Sequence, residues 1–137
     1  MTHPPILGTL EAALYADDLD AARQFYGDLI GLPLIAEAAG RHIFFRVGEG
    51  VLLIFNPAAT EKPPGNAALP VPPHGARGPG HYCLSVPPEA LDLWRHRLEQ
   101  AGVAIEADFH WPNGARSIYV RDPAGNSIEL ADPAIWV

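Results

Sequence analysis

Apolar and polar positions alternate in short runs over two stretches of this chain, and a proline-rich stretch separates them. The first opens on Leu10-Glu11-Ala12-Ala13-Leu14-Tyr15-Ala16, whose alternation predicts a strand. Leu19, Ala22, Tyr26 and Leu29 then recur at intervals of three, four and three, which is one apolar face of a helix. Asp17 or Asp18 can cap that helix, and Gly31 can stop it. Residues 32–36, 43–47 and 51–55 follow as predicted strands. The second stretch repeats the order. Residues 81–86 read as a strand, and Pro88 suits a first helical turn. Leu91, Trp94, Leu98 and Ala101 repeat the three-four-three spacing, and Gly102 ends the helix. Residues 103–106, 116–120 and 127–130 complete the set of predicted strands.

The order β-α-β-β-β thus occurs twice, offset by 70 positions from Glu11 to His81 and by 71 from Gly31 to Gly102. The prediction is an α+β fold: two tandem βαβββ modules forming a curved mixed sheet around a concave site, all within one domain of 1–137. Module 1 is expected over about 8–57 and module 2 over about 81–133. Between them, at 58–80, lies a Pro/Gly-rich linker. Seven prolines between Pro57 and Pro79, inclusive, forbid a long helix or central strand there.

Alternation also assigns side chains to faces. In the opening strand Leu10, Ala12, Leu14 and Ala16 suit a helix-facing surface, which turns Glu11 the other way with Ala13 and Tyr15. Tyr82, Leu84 and Val86 form the apolar face of the strand at 81–86, leaving His81, Cys83 and Ser85 opposite. Ile128 and Leu130 pack inward in the last strand, so Ser127 and Glu129 face away from them. Glu11, His81 and Glu129 therefore point to the concave side. Two carboxylates and an imidazole suit a divalent first-row metal such as Mn, Fe, Ni or Zn, and three protein ligands leave coordination positions open for chemistry. Taken singly, each of the three reads as an ordinary solvent-facing strand residue.

Composition narrows the partners. Nine Lys+Arg against sixteen Asp+Glu give a net charge of −7, which argues against binding nucleic acid or an anionic membrane. No apolar run approaches the roughly 20 residues of a membrane span. Met1-Thr2-His3-Pro4-Pro5 lacks the pattern of a signal peptide, so a cytoplasmic protein is expected. Cys83, the single cysteine, excludes an internal disulfide and a CxxC motif.

The chain resembles the vicinal oxygen chelate superfamily, which includes glyoxalase I, extradiol dioxygenases, fosfomycin-resistance proteins and bleomycin-binding proteins. The resemblance rests on Ala16-Asp17-Asp18-Leu19-Asp20 with Phe25-Tyr26, on Leu29-Ile30-Gly31-Leu32, on Gly80-His81, and on Arg121-Asp122-Pro123-Ala124-Gly125-Asn126-Ser127-Ile128-Glu129-Leu130. It implies paired βαβββ modules with metal ligands on the first and last strands of each. Those positions are Glu11, Leu53, His81 and Glu129 here, and Leu53 offers no donor atom. The resemblance further implies one divalent metal ion, a small oxygen-chelating substrate, a homodimer, and lyase, isomerase or dioxygenase chemistry. It also admits a metal-free small-molecule-binding protein of the bleomycin-resistance kind.

Other residues are candidates around that centre. Arg116-Ser117-Ile118-Tyr119 resembles the Ser-x-Tyr segment of fosfomycin-resistance proteins. Tyr119 can donate to an oxyanion, and Arg116 can pair with a substrate anion, with Ser117 beside them. Glu11 doubles as a candidate general base. His42 and Arg46 flank Phe44-Phe45 and can line the cup, while His74 and Arg77 lie on the proline-rich segment. His110, Trp111 and Asn113 are candidates for a pocket rim.

Overall fold

The computed structural model describes residues 2–137. Strand β1 (Glu11–Tyr15) leads into helix α1, which starts with an α-turn at Leu19–Ala22 and continues with π-helical winding over Arg23–Leu29. Of the two aspartates predicted as cap, Asp18 does the work: its side chain accepts from the Ala21 amide at 3.0 Å. Gly31, at φ +87°, turns the chain out of the helix in a conformation that L side chains rarely adopt. Strands β2 (Leu34–Ala38), β3 (His42–Val47) and β4 (Gly50–Phe55) complete module 1, and a short helix α2 (Pro57–Thr60) follows. Module 2 contains β5 (His81–Ser85), a 3-10 turn at Pro88–Ala90 running into α3 (Leu91–Gln100), then β6 (Ala107–His110), β7 (Arg116–Arg121) and β8 (Ser127–Ala131).

Each module forms one four-stranded mixed sheet, ordered β1-β4-β3-β2 and β5-β8-β7-β6. The first and last strands of each module run parallel and the other neighbours antiparallel, so the two sheets share one topology. Ile43, Phe45, Leu52 and Ile54 of module 1 and Ile118, Val120, Ile128 and Leu130 of module 2 are buried in a single core with Tyr26, Leu91 and Leu98 of the helices. These alternate positions supply the apolar face that each helix covers, which leaves the intervening side chains on the concave side.

One predicted strand moves. The segment at 103–106 is not a strand, and β6 begins at Ala107. Val103 and Ile105 pack against the core, but the Val103 amide still bonds the Leu98 carbonyl at the end of α3, and the ladder with β7 starts only where Ala107 meets Tyr119.

A buried polar network joins the modules. Tyr26 on α1 donates its phenol proton to Asp122 Oδ2 at 2.6 Å. Asp122 also accepts from the Ala124 and Asn126 amides and from Asn126 Nδ2. Asn126 in turn accepts from the Gly80 amide at 2.7 Å and donates to the Tyr15 carbonyl. The Asp122–Asn126 turn therefore ties the end of β1, helix α1 and the start of β5. Arg97 of α3 adds a second link by donating to the Leu29 and Asp28 carbonyls at the end of α1.

Candidate metal centre on the concave face of module 2

The β5–β8–β7 register places Cys83 and Tyr119 on either side of Glu129, and His81 beside Ser127. Glu129 is 5% exposed, so a carboxylate stands in the wall of the sheet and needs partners for both oxygens. Ser117, fully buried, donates to Oε2 at 2.6 Å. Its own Oγ accepts from the Trp111 indole N–H at 2.8 Å. The other oxygen, Oε1, lies 3.3 Å from Nε2 of the half-exposed His81.

The far side of the His81 ring sets its tautomer. Nδ1 is 3.1 Å from the Ser127 carbonyl, which can only accept, so the ring proton sits on Nδ1 and the neutral ring turns a lone pair on Nε2 toward Glu129. Two lone pairs at that distance are satisfied by an imidazolium paired with the carboxylate or by a cation that both atoms ligate. The backing hydrogen bonds, carbonyl to His81 Nδ1 and hydroxyl to Glu129 Oε2, are what orient metal ligands. The pair fits half of a divalent metal site. Glu11 is exposed on β1, and no group of three or more His, Cys, Asp or Glu among the described residues is arranged to hold a metal. One chain thus brings His81 and Glu129 together and leaves Glu11 outside.

Tyr119 stands edge-on to His81, with ring centres 6.1 Å apart, and edge-on to Phe109 at 5.7 Å. Burial, and then the Glu129 carboxylate, push its phenol pKa up, so Tyr119 keeps its proton at neutral pH. The same two causes push the Cys83 thiol up to about 12, so this exposed cysteine is protonated rather than a nucleophile.

Module 1 presents a different surface. Leu53 and Phe44 pair in the sheet where module 2 has Glu129 and Tyr119. His42 stacks on Phe44 with ring centres 4.1 Å apart, and Phe44 meets Phe55 edge-on. His42 Nδ1 is 2.7 Å from the Arg41 guanidinium, which can only donate to it. Burial and that cation hold the His42 pKa below its ordinary value. His74 reaches this face from the proline-rich segment: Nδ1 is 2.7 Å from the Tyr15 hydroxyl, and the ring packs against Phe55. Arg46 is exposed and donates to the Glu49 and Gly50 carbonyls.

Two substrate-binding expectations change. Arg116 lies one residue from Ser117 and three from Tyr119, so alternation puts it on the other face of β7, the helix side. There it holds Asp108 through two bonds, at 2.8 and 2.7 Å, and Asp92 at 2.6 Å, with no group left for a substrate anion. Ser117 is on the expected face, but its hydroxyl is committed to Trp111 and Glu129. The sequence suggests Trp111 only as a rim residue. The tryptophan's position six residues before a serine gave no sign of their bond, because the turn closed by the Trp111 amide on the Ala115 carbonyl creates it. Asn113, another rim candidate, holds that turn to the Ala134 carbonyl.

A sequence model of the Glyoxalase/Bleomycin resistance protein/Dioxygenase superfamily matches residues 8–130. Among solved structures, the chain is 42% identical to lactoylglutathione lyase from Agrobacterium tumefaciens, covering 97% of this chain and 98% of that one with a TM-score of 0.91. A glyoxalase/dioxygenase from Nostoc punctiforme shares the fold at 23% identity and TM-score 0.65, covering 96% of this chain and 99% of that one. An integron cassette protein from the mobile metagenome of the Halifax Harbour sewage outfall does so at 20% identity and TM-score 0.72, covering 93% and 99%. No curated protein matches the chain.

Proposed function

Because the chain belongs to the Glyoxalase/Bleomycin resistance protein/Dioxygenase superfamily, we propose that it is a divalent-metal-dependent enzyme acting on a small oxygen-chelating substrate, with lyase or isomerase chemistry. The observation that carries this reading is the convergence of His81 Nε2 and Glu129 Oε1 at 3.3 Å, each backed by a hydrogen bond on its far side. The likeness to a protein named lactoylglutathione lyase supports the lyase class. Held by His81 and Glu129, a Mn, Fe, Ni or Zn ion supplies a Lewis acid for substrate oxygens. The chain's own residues do the rest. Tyr119, protonated at neutral pH, donates a hydrogen bond to the oxygen on which negative charge develops. The aromatic surface of Phe44, Phe55 and His42 offers an apolar wall to the substrate's carbon skeleton.

Glu11 is the third ligand or the general base in this reading, and it reaches the pair in a homodimer whose modules meet across chains. The net charge of −7 supports a small-molecule ligand rather than nucleic acid, and no helix among the described residues is long and apolar enough to cross a membrane. A second reading, a metal-free small-molecule-binding protein, is favoured by one observation: among the described residues no group of three or more His, Cys, Asp or Glu is arranged to hold a metal.

Metal content by plasma mass spectrometry, on protein purified without a histidine tag or chelator, separates the two. The expected result is near one equivalent of a divalent metal per chain, lost in His81→Ala and in Glu129→Ala. No metal as isolated, and no uptake of Mn²⁺, Fe²⁺, Ni²⁺ or Zn²⁺ on titration, would sink the enzyme reading and leave the binding protein.

A further inference from the structure

We propose that Trp111 is a positioning residue for the metal-binding pair, acting through Ser117 to decide which oxygen of Glu129 faces His81. The inference rests on the reading of His81 and Glu129 as ligands. It follows from the direction of the hydrogen bonds. An indole N–H can only donate, so at 2.8 Å Ser117 Oγ is the acceptor. The hydroxyl's one proton then goes to Glu129 Oε2, 2.6 Å away. Ser117 is fully buried, so no water competes for either bond. With Oε2 occupied, Oε1 is the oxygen left to face His81 Nε2.

The geometry that brings Trp111 to Ser117 is built rather than incidental. The backbone amide of Trp111 donates to the Ala115 carbonyl, and Gly114 donates back to the Trp111 carbonyl, both at 2.8 Å. Gly114 has φ +89°, a conformation that L side chains rarely adopt, so this tight turn depends on glycine. Asn113 anchors the turn through a bond to the Ala134 carbonyl. The ring of Trp111 also rests edge-on against Phe109 at 4.9 Å, and Phe109 continues through Tyr119 to His81. Trp111 is therefore linked to both halves of the pair, to Glu129 through Ser117 and to His81 through the Phe109 and Tyr119 rings. Trp111→Phe cuts the first and keeps the second.

The test is calorimetric titration of Mn²⁺ and, separately, Zn²⁺ into wild type, Trp111→Phe, Ser117→Ala and the double variant, with the metal-free melting temperature of each. Loss of an outer-shell partner weakens a metal site by about 10- to 100-fold. Trp111→Phe is expected to raise Kd about tenfold and Ser117→Ala at least as much. The double variant should be no weaker than Ser117→Ala alone, because Trp111 works through the serine. A purely structural tryptophan would lower the melting temperature and leave Kd unchanged in the folded protein, and that result overturns the proposal. So does a double variant whose losses multiply. If wild type binds neither ion, the metal reading falls and this role falls with it; if wild type binds and Trp111→Phe binds equally well, only this role falls. Should Trp111→Phe fail to fold, the indole N–H resonance of Trp111 in wild type, identified by elimination with Trp94→Phe and Trp136→Phe, takes its place. It is expected to shift when Zn²⁺ saturates the site, and an unmoved resonance overturns the proposal.

Discussion

Leu53 in β4 and Glu129 in β8 hold the same place in two sheets of the same topology: each lies opposite an aromatic residue, Phe44 in one case and Tyr119 in the other. Glu11 and His81 likewise both open the first strand of their module, opposite Val51 and Ser127. The helix-facing positions at the centre of both sheets are apolar and buried, as the shared core requires, with Arg116 and Asp108 the charged pair at the edge of module 2. The concave positions are under no such constraint. Module 2 uses them for His81, Glu129, Ser117 and Tyr119, a polar set joined by hydrogen bonds. Module 1 uses them for Leu53, Phe44, Phe55 and His42, an aromatic set joined by ring contacts. The repeat thus fixes where a ligand can stand, while the side chain at each place decides whether one does.

Converting module 2 to the chemistry of module 1 is the sharpest way to test that difference, and the largest effect is expected there. Glu129→Leu copies Leu53 into the equivalent position. Metal affinity should fall by at least 100-fold in calorimetric titration, since one of two paired donors is gone and the other cannot hold the ion alone. Folding should survive, with a cost of about 1–3 kcal/mol from the Ser117 hydroxyl left without an acceptor. Retained metal in this variant would mean that the donors lie elsewhere.

The relation between the two faces is set by the joint at Asp122, and breaking it should be the next largest effect. Tyr26→Phe removes one proton from a network that is otherwise complete: Asp122 keeps three donors but loses the 2.6 Å bond from α1. A hydrogen bond to a charged acceptor is worth about 1.5–3 kcal/mol, and that loss should appear in urea unfolding. Burial and the adjacent Asp122 carboxylate drive the Tyr26 pKa well above that of a free phenol, so the loss should not vary between pH 6 and 9. An unchanged midpoint would remove this joint from the account of how the modules are held.

How much of this was legible in the sequence depends on the range of the interaction. Periodicity along a strand is local, so the two helices, seven of the eight strands and the face of His81 and Glu129 could be read directly. The eighth failed because Val103 and Ile105 look like a strand while the Val103 amide is still closing the end of α3 on Leu98; apolar pattern reports burial, not a ladder partner. Arg116 was misread for a different reason. Its resemblance-based role came as part of a segment with Ser117 and Tyr119, while the pleat separates it from both. The Trp111–Ser117 bond and the His74–Tyr15 contact, spanning 6 and 59 positions, arise from turns and a loop path that have no periodic signature.

The reassignment of Arg116 makes a prediction about acid. Hydrogen bonds from Arg116, and then from Arg95, hold the Asp108 carboxyl down to about 2. Its folded-state pKa is below its unfolded value near 3.8, so its contribution to stability is complete above about pH 4 and is lost as pH falls toward 2. Asp108→Asn should cost about 1–2 kcal/mol at pH 7, and the gap between variant and wild type should close between pH 4 and 2 in urea unfolding. Metal affinity at pH 7 should be unchanged, because Arg116 and Asp108 lie on the helix side of β7. A variant that binds metal less tightly would return Arg116 to the site.

The smallest effect belongs to module 1, where the proline-rich segment meets the aromatic face. Three contacts hold it: the His74 amide to the Thr60 carbonyl, the His74 ring to the Tyr15 hydroxyl, and Arg77 to Glu61 through two exposed bonds. Of these three, the Tyr15 bond is the one that reaches a strand, and Tyr15→Phe removes it while keeping the ring contacts among Tyr15, His74 and Phe55. A neutral hydrogen bond of this kind is worth about 0.5–1.5 kcal/mol, and the loss should stay local. Global unfolding should be nearly unchanged. Amide exchange across 61–80 should speed up by several-fold, and proteolytic nicking there should follow it. Because His74 covers part of the surface proposed to meet substrate, the same variant should leave metal affinity untouched. If exchange in 61–80 stays at the wild-type rate, the segment is held by its own turns, and the aromatic face of module 1 is open to ligand without it.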